Sequence, residues 1–134
     1  MITREADYAI RTVLALAKRP RDAVVPTAEL SQEMDIPFRF LRRIAGKLVR
    51  SGIVAAHRGN GGGLRLLLSP RGLTLLSVVA AVDSRSIKLN TCLVRKGNCP
   101  RSGHCSVHEE LARLQEALEG MLGQVTFEKL VKKQ

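Results

Sequence analysis

Four of the five residues in Gly59-Asn60-Gly61-Gly62-Gly63 are glycine. Glycine inside a helix or strand costs about 0.5–1 kcal/mol relative to alanine, so neither element runs through this stretch. It must be a turn, and its flanks say which kind. Residues 53–56 and 64–68 are short apolar runs of β character. Residues 57–63 therefore read as the tip of a β-hairpin. A phosphate-cradling nucleotide loop is the competing reading of so many glycines. It is disfavoured, because no Gly-Lys-Ser/Thr follows and no helix opens there.

Before the hairpin the apolar period is helical. Ala6, Ala9, Ile10, Val13, Leu14 and Ala17 mark a helix over 4–18 with Thr3 as N-cap. Thr27 is placed to cap a short helix over 27–34, which Asp35-Ile36-Pro37 breaks. A third helix, about 37–51, turns Leu41, Ile44, Ala45 and Leu48 inward and ends at Ser51-Gly52. After the hairpin, Thr74 caps a helix over 74–82. Helix, short helix, turn, helix and hairpin is the order of a winged helix-turn-helix, whose second turn helix enters the DNA major groove. The expected class is mainly α with a small β-hairpin wing. Residues 1–72 would form the DNA-binding domain. Residues 73–134 would form a dimerisation region that carries a cysteine loop at about 88–106.

The charge supports a polyanionic partner. Lys and Arg number 22 against 12 Asp and Glu, a net of +10. No acidic residue lies between Asp35 and Asp83, a stretch holding Arg39, Arg42, Arg43, Lys47, Arg50, Arg58, Arg65 and Arg71. Double-stranded DNA is the natural partner for such a run. Arg39, Arg43 and Lys47 recur every four residues on the third helix, away from its apolar stripe, with Arg42 beside them. Arginine there pairs bidentately with guanine or contacts phosphate. Arg58 and Asn60 sit on the glycine-rich tip, slim enough to approach a minor groove. Thr27, opening the short helix, completes the expected DNA-binding set. With no Trp among few aromatics, stacking platforms for single strands are not expected. No apolar run is long enough for a membrane span. The first residues lack a basic-then-apolar signal, so a cytoplasmic location is expected.

Cys92, Cys99 and Cys105 follow the pattern Cys-x6-Cys-x5-Cys, with His108 three residues on. An odd, clustered set is not a disulfide framework, and thiols beside a histidine read as a metal site. Zinc prefers close Cys pairs, which are absent. The wider spacing suits a loop wrapped round an iron–sulfur cluster. Lys88, Arg95, Lys96 and Arg101 are placed to offset its charge, and three cysteines leave a fourth position for a non-cysteine ligand. A catalytic cysteine is disfavoured, because no activating base stands at a recognisable spacing. Ser106 and Glu109 suggest a capping box opening the next helix, about 107–122. There Leu111, Leu114, Leu118 and Leu122, with Met121 alongside, recur at near-heptad steps. That stripe predicts a homodimer, the symmetry that palindromic operators require. Thr126 caps a last helix over 127–132.

The chain resembles the IscR/NsrR/RirA-type family of bacterial winged-helix transcriptional regulators with an iron–sulfur cluster loop. The resemblance covers nearly the whole chain. It rests on Asp7-Tyr8-Ala9-Ile10-Arg11, Val25-Pro26-Thr27-Ala28-Glu29-Leu30 and Leu48-Val49-Arg50-Ser51-Gly52-Ile53-Val54. The wing Arg58–Gly63, the three-cysteine loop and Thr126-Phe127-Glu128-Lys129-Leu130-Val131 complete it. The resemblance implies a homodimer, not an enzyme, whose operator affinity follows the state of a cluster on Cys92, Cys99 and Cys105. The signal would be redox state, nitric oxide or iron. It also implies that Arg58 is the wing arginine of the minor groove.

Two departures bear on detail. The Cys92–Cys99 gap has six residues where the family usually has five. His108 matches the Cys-x2-His pattern that goes with a [2Fe-2S] cluster. Asp7 matches an aspartate that other members supply from the partner subunit to a [4Fe-4S] cluster. His108 and [2Fe-2S] are the preferred pair, with Asp7 the alternative. Arg42 and Arg43 replace the acidic and amide residues common in IscR-like recognition helices, so a different operator is expected. Two other readings compete. One is a cluster-free DNA-binding regulator switched by zinc or thiol oxidation. The other is an electron carrier or cluster-delivery protein whose basic face meets an acidic partner. No small-molecule substrate is expected.

Overall fold

Helix α1 (Arg4–Ala17) begins at Thr3, whose hydroxyl accepts the Ala6 N–H at 3.2 Å. This computed structural model describes residues 1–95, 99–101 and 103–133. The inward face of α1 is built from small residues. Ala6, Ala9, Val13 and Ala15 are fully enclosed, and short side chains let neighbouring elements approach closely. Helix α2 (Thr27–Met34) and helix α3 (Phe38–Arg50) pack on α1 and on each other.

The caps of these two helices differ from the expectation. Pro26 is the N-cap of α2, and Thr27 is already helical with no side-chain cap. Proline before the helix fixes the chain direction without needing a hydroxyl acceptor. Pro37 does the same for α3. Between them Asp35 adopts a left-handed conformation, φ 52°. The Ser31 hydroxyl donates to the Ile36 carbonyl at 2.6 Å, which closes the turn. Arg19, just past α1, ion-pairs with Glu33 and Glu29 and so ties α1 to α2.

Leu41, Ile44, Ala45 and Leu48 are the buried stripe of α3, as their spacing predicts. The helix stops at Ser51, and Gly52 takes φ 78°. Strand β1 (Val54–His57) then pairs antiparallel with strand β2 (Gly63–Leu66), with Val54 opposite Leu66 and His57 opposite Gly63. Both strands sit within a residue or two of the expected runs; Leu67 and Leu68 lie outside and are partly exposed. Val25 adds a single bridge to β2, exchanging both backbone bonds with Leu64 at 2.8 and 2.9 Å. Gly63 makes that bridge feasible. A Cβ there would lie 2.0 Å from the Val25 carbonyl oxygen, and its φ is 152°.

Helix α4 (Leu75–Asp83) carries the Thr74–Ser77 capping box. Two short 3-10 turns, Ser84–Ile87 and Thr91–Leu93, lead into the cysteine loop. Helix α5 (Ser106–Gln124) follows, then helix α6 (Phe127–Lys132), capped by Thr126 as expected. The expected capping box at Ser106 and Glu109 does not form. The chain turns helical one residue earlier, Cys105 is the N-cap, and its carbonyl takes the Glu109 N–H at 3.2 Å.

Helix α6 returns to the first half of the chain. The Phe127 N–H donates to the Leu73 carbonyl and the Leu75 N–H to the Val125 carbonyl, each at 2.9 Å. Phe127 is fully buried in one continuous core with α1, α3, Leu73 and the Val78 and Val79 side chains of α4. Helix α5 stands largely outside that core, with Gln115 its one buried residue. Phe127→Ala should therefore destabilise the fold by about 3–5 kcal/mol, and Met121→Ala, on exposed α5, should leave monomer stability within about 0.5 kcal/mol. Urea unfolding followed by circular dichroism measures both.

Candidate nucleic-acid and cysteine-loop sites

The outward face of α3 follows from its stripe. With Leu41, Ile44 and Leu48 inward, residues near the opposite pole are Arg39, Arg43, Gly46 and Arg50, with Arg42 on one flank. Arg39, Arg42, Arg43 and Arg50 are all exposed. Arg50 is missing from the expected set although its spacing from Arg39 and Arg43 places it there. Lys47 lies on the other flank and is turned inward. Its Nζ sits 2.6 Å from Glu5 Oε1 of α1 and donates to the Val82 carbonyl of α4 at 3.0 Å. The four-residue recurrence groups Lys47 with Arg39 and Arg43, whereas the turn of the helix puts it beside the buried stripe. The carboxylate that draws it away is more than forty residues distant in sequence.

The wing tip places Arg58 and Asn60 on an exposed turn, with Gly59 and Gly61 at positive φ. The Gly62 N–H closes it onto the Gly59 carbonyl at 3.0 Å. Arg65, on β2, is held at the wing's base by His57 at 3.3 Å and Asp22 at 3.4 Å. Thr27 lies half-buried at the start of α2.

The cysteine loop is partly gathered. Cys92 sits in the Thr91–Leu93 turn, which the Asn90 side chain caps by accepting the Thr91 N–H at 2.7 Å. Its Sγ lies 3.4 Å from Nδ1 of His108, in the first turn of α5. Cys105 is the residue before that turn, and Cys99 is half-buried in the 99–101 segment. His104 is exposed. Among the described residues no three His, Cys, Asp or Glu side chains are gathered as a bound metal ion would require. Asp7 stands elsewhere, on α1, paired with Arg11 at 2.6 Å. Arg95 and Arg101 are exposed, and Lys96 lies outside the described residues.

Sequence reasoning missed Gln115. Its side chain lies almost fully buried against the segment leading to Cys92. Its Oε1 accepts the Leu89 N–H at 2.8 Å and its Nε2 donates to the Ile87 carbonyl at 2.9 Å. One amide thus pairs with the backbone of two residues, as a neighbouring strand would. Lys88, between them, reaches Glu119 at 2.8 Å. A glutamine within a helix gives no such signal in sequence.

On α5 the exposed large apolar residues are Val107, Leu114 and Met121, one heptad apart, with Leu111 and Leu118 between them half-exposed. Leu122 instead leans against the core. Val107 extends the stripe that the leucines mark.

A family profile described as "Rrf2: Iron-dependent Transcriptional regulator" matches residues 2–133. The chain belongs to the Rrf2 family. The transcriptional regulator IscR of Vibrio campbellii is 30% identical over 131 residues, covering 98% of this chain and 77% of that protein. CymR, the global cysteine regulator of B. subtilis, shares the fold at TM-score 0.79 and 20% identity, over 100% of this chain and 98% of CymR. T. potens IscR shares it at 0.75 and 17%, over 99% and 87%. The resemblance read from the motifs is borne out, as is the winged-helix fold. Rrf2 relatives are DNA-binding transcriptional regulators, not enzymes. Among the described residues no helix is long and apolar enough to cross a membrane.

The Gln115–Lys88–Glu119 cluster makes a pH prediction. The hydrogen bond from Lys88 holds the Glu119 carboxyl below the usual carboxylate range, against a smaller opposing effect of burial. A carboxyl lowered on folding adds stability above its unfolded value, lost as the pH falls through the folded one. The cluster should thus hold at neutral pH and loosen below about pH 4.3. Lys88→Met should move the Glu119 carboxyl back toward the usual range, read by carboxyl NMR titration. Gln115→Ala strands the Leu89 N–H and Ile87 carbonyl, at a cost of about 1–3 kcal/mol.

Proposed function

We propose that this Rrf2 protein is a homodimeric operator-binding regulator whose DNA affinity is switched by an iron–sulfur cluster on the loop between α4 and α5. The observation that carries the reading is the Cys92–His108 contact across the loop, with Cys105 directly before the helix that bears His108. Three thiols and an imidazole are a donor set suited to such a cluster. Cys92, Cys99 and Cys105 would hold it, with His108 as the fourth ligand and Asp7 of the partner subunit as the alternative; [2Fe-2S] is preferred over [4Fe-4S]. When bound, the cluster supplies a site that redox change, nitric oxide or iron shortage can alter.

The chain's own residues then do the coupling. Residues 1–72 would present Arg39, Arg42, Arg43 and Arg50 of α3 to a major groove and Arg58 and Asn60 to a minor groove, with Thr27 at the start of the bracing helix. Residues 73–134 would pair two copies through Val107, Leu111, Leu114, Leu118 and Met121. Gln115 grips the 87–89 backbone from the same helix. A change in the loop would thus be felt by the dimer helix and by α4, which packs on both α3 and α5. Altered spacing of the two recognition helices changes fit to a palindromic site.

Protein purified without oxygen should be coloured and contain iron and sulfide. Cys92→Ser should abolish the colour, and His108→Ala should shift the spectrum while Asp7→Ala leaves it unchanged. Apo and loaded protein should differ in affinity for an operator selected from random duplexes. Equal affinity of the two forms defeats the switch. A colourless protein that cannot be reconstituted points to zinc or thiol chemistry instead. A second expectation concerns assembly: Leu114→Asp with Met121→Asp should give monomers by sedimentation, with the fold retained by circular dichroism.

A further inference from the structure

Glu5 is the acidic group closest to the α3 arginines, and its surroundings are unusual. Its Oε1 is enclosed and makes no aligned hydrogen bond. What it has are two cations of α3: Lys47 Nζ at 2.6 Å and Arg43 Nε at 3.8 Å. The Lys47 ammonium is held from a second side by the Val82 carbonyl at 3.0 Å. Arg43, by contrast, keeps nearly two-thirds of its side chain exposed. A cavity of about 180 Å³ beside them is lined by Arg4, Glu5, Tyr8, Phe40, Arg43 and Ile44. Arg43 thus has room to leave its present direction.

We infer that Glu5 is a positioning residue for operator specificity: it withdraws Lys47 from the groove face and orients the Arg43 guanidinium that remains there. The inference rests on the reading of α3 as the recognition helix. Reading a guanine takes a guanidinium whose plane is fixed, because its two parallel bonds must meet two acceptors at once. The Glu5 charge 3.8 Å from Nε draws the guanidinium toward one side and so narrows the directions it takes. Lys47, with a flexible stem and a point charge, would instead add phosphate attraction that is blind to sequence. One enclosed carboxylate thereby trades general affinity for discrimination.

Glu5→Gln keeps the shape and removes the charge. The test uses the full chain, a duplex selected by the wild type from a randomised pool, and a scrambled duplex of the same length, each titrated at several KCl concentrations. The expected result is tighter binding to the scrambled duplex and a preference for the selected one reduced roughly tenfold, the order of one bidentate contact. The slope of log affinity against log salt should steepen by about one for each cation freed. A merely structural role would weaken both duplexes alike and leave preference and slope unmoved, which would overturn the inference. Lys47→Gln tests the withdrawal by itself, and decides if Glu5→Gln does not fold. A lysine held by Glu5 and the Val82 carbonyl makes no phosphate contact, so the salt slope should stay at its wild-type value. A slope shallower by about one would put Lys47 on the DNA and overturn the inference. Failure of the wild type to select any consensus would remove the recognition-helix reading itself, and the inference with it.

Discussion

The close packing of a small-residue helix underlies the arrangement. Helix α1 meets α2, α3, α4, α6 and β2, and it can do so because Ala6, Ala9 and Ala15 fill so little space. A larger side chain at any of these positions must push a neighbour away, and overpacking of that kind typically costs about 1–3 kcal/mol. Among those neighbours are α3, which carries the basic face, and α4, which precedes the loop. The position of α3 is thus set by absent methylene groups as much as by those present.

The polar contacts refine what that packing makes coarse. Glu5 reaches from α1 to α3, Lys47 from α3 to the end of α4, and Gln115 from α5 to the segment after α4. Each spans elements that are adjacent in space and distant in sequence. Together they form a chain of contacts from α3 to the segment that leads into the cysteine loop. Such groups are costly to leave half-satisfied, so the elements they join tend to move together.

What was legible in the sequence was local. Periodicity marks the helices, the glycine run marks the wing, and Thr3, Thr74 and Thr126 mark three caps, because a cap or a period involves residues a few positions apart. The Rrf2 relationship was legible through motifs that are likewise short. What was hidden depends on the fold. Lys47 recurs four residues after Arg43, and its flank position, the half-buried Glu5 carboxylate and the Val82 carbonyl separate it from the arginines. Cys105 displaces Ser106 as cap because the chain enters α5 a residue early. Gln115 looks like any surface glutamine until the 87–89 backbone is laid beside it. The three cysteines are obvious as a group, whereas the contact between Cys92 and His108 requires two segments to meet.

The wing divides into a root and a tip with different freedom to change. At the root, Gly63 sits against the Val25 carbonyl with no space for a side chain, and Val25 and Leu64 share two backbone bonds. At the tip, Arg58 and Asn60 project into solvent. Substitutions at residues 58 and 60 would alter the exposed tip without altering how the wing is mounted, while substitutions at residue 63 would unseat it. The tip can therefore be redrawn at two exposed positions while the backbone that mounts it stays unchanged. The same division marks where an engineer should randomise and where nothing should be touched.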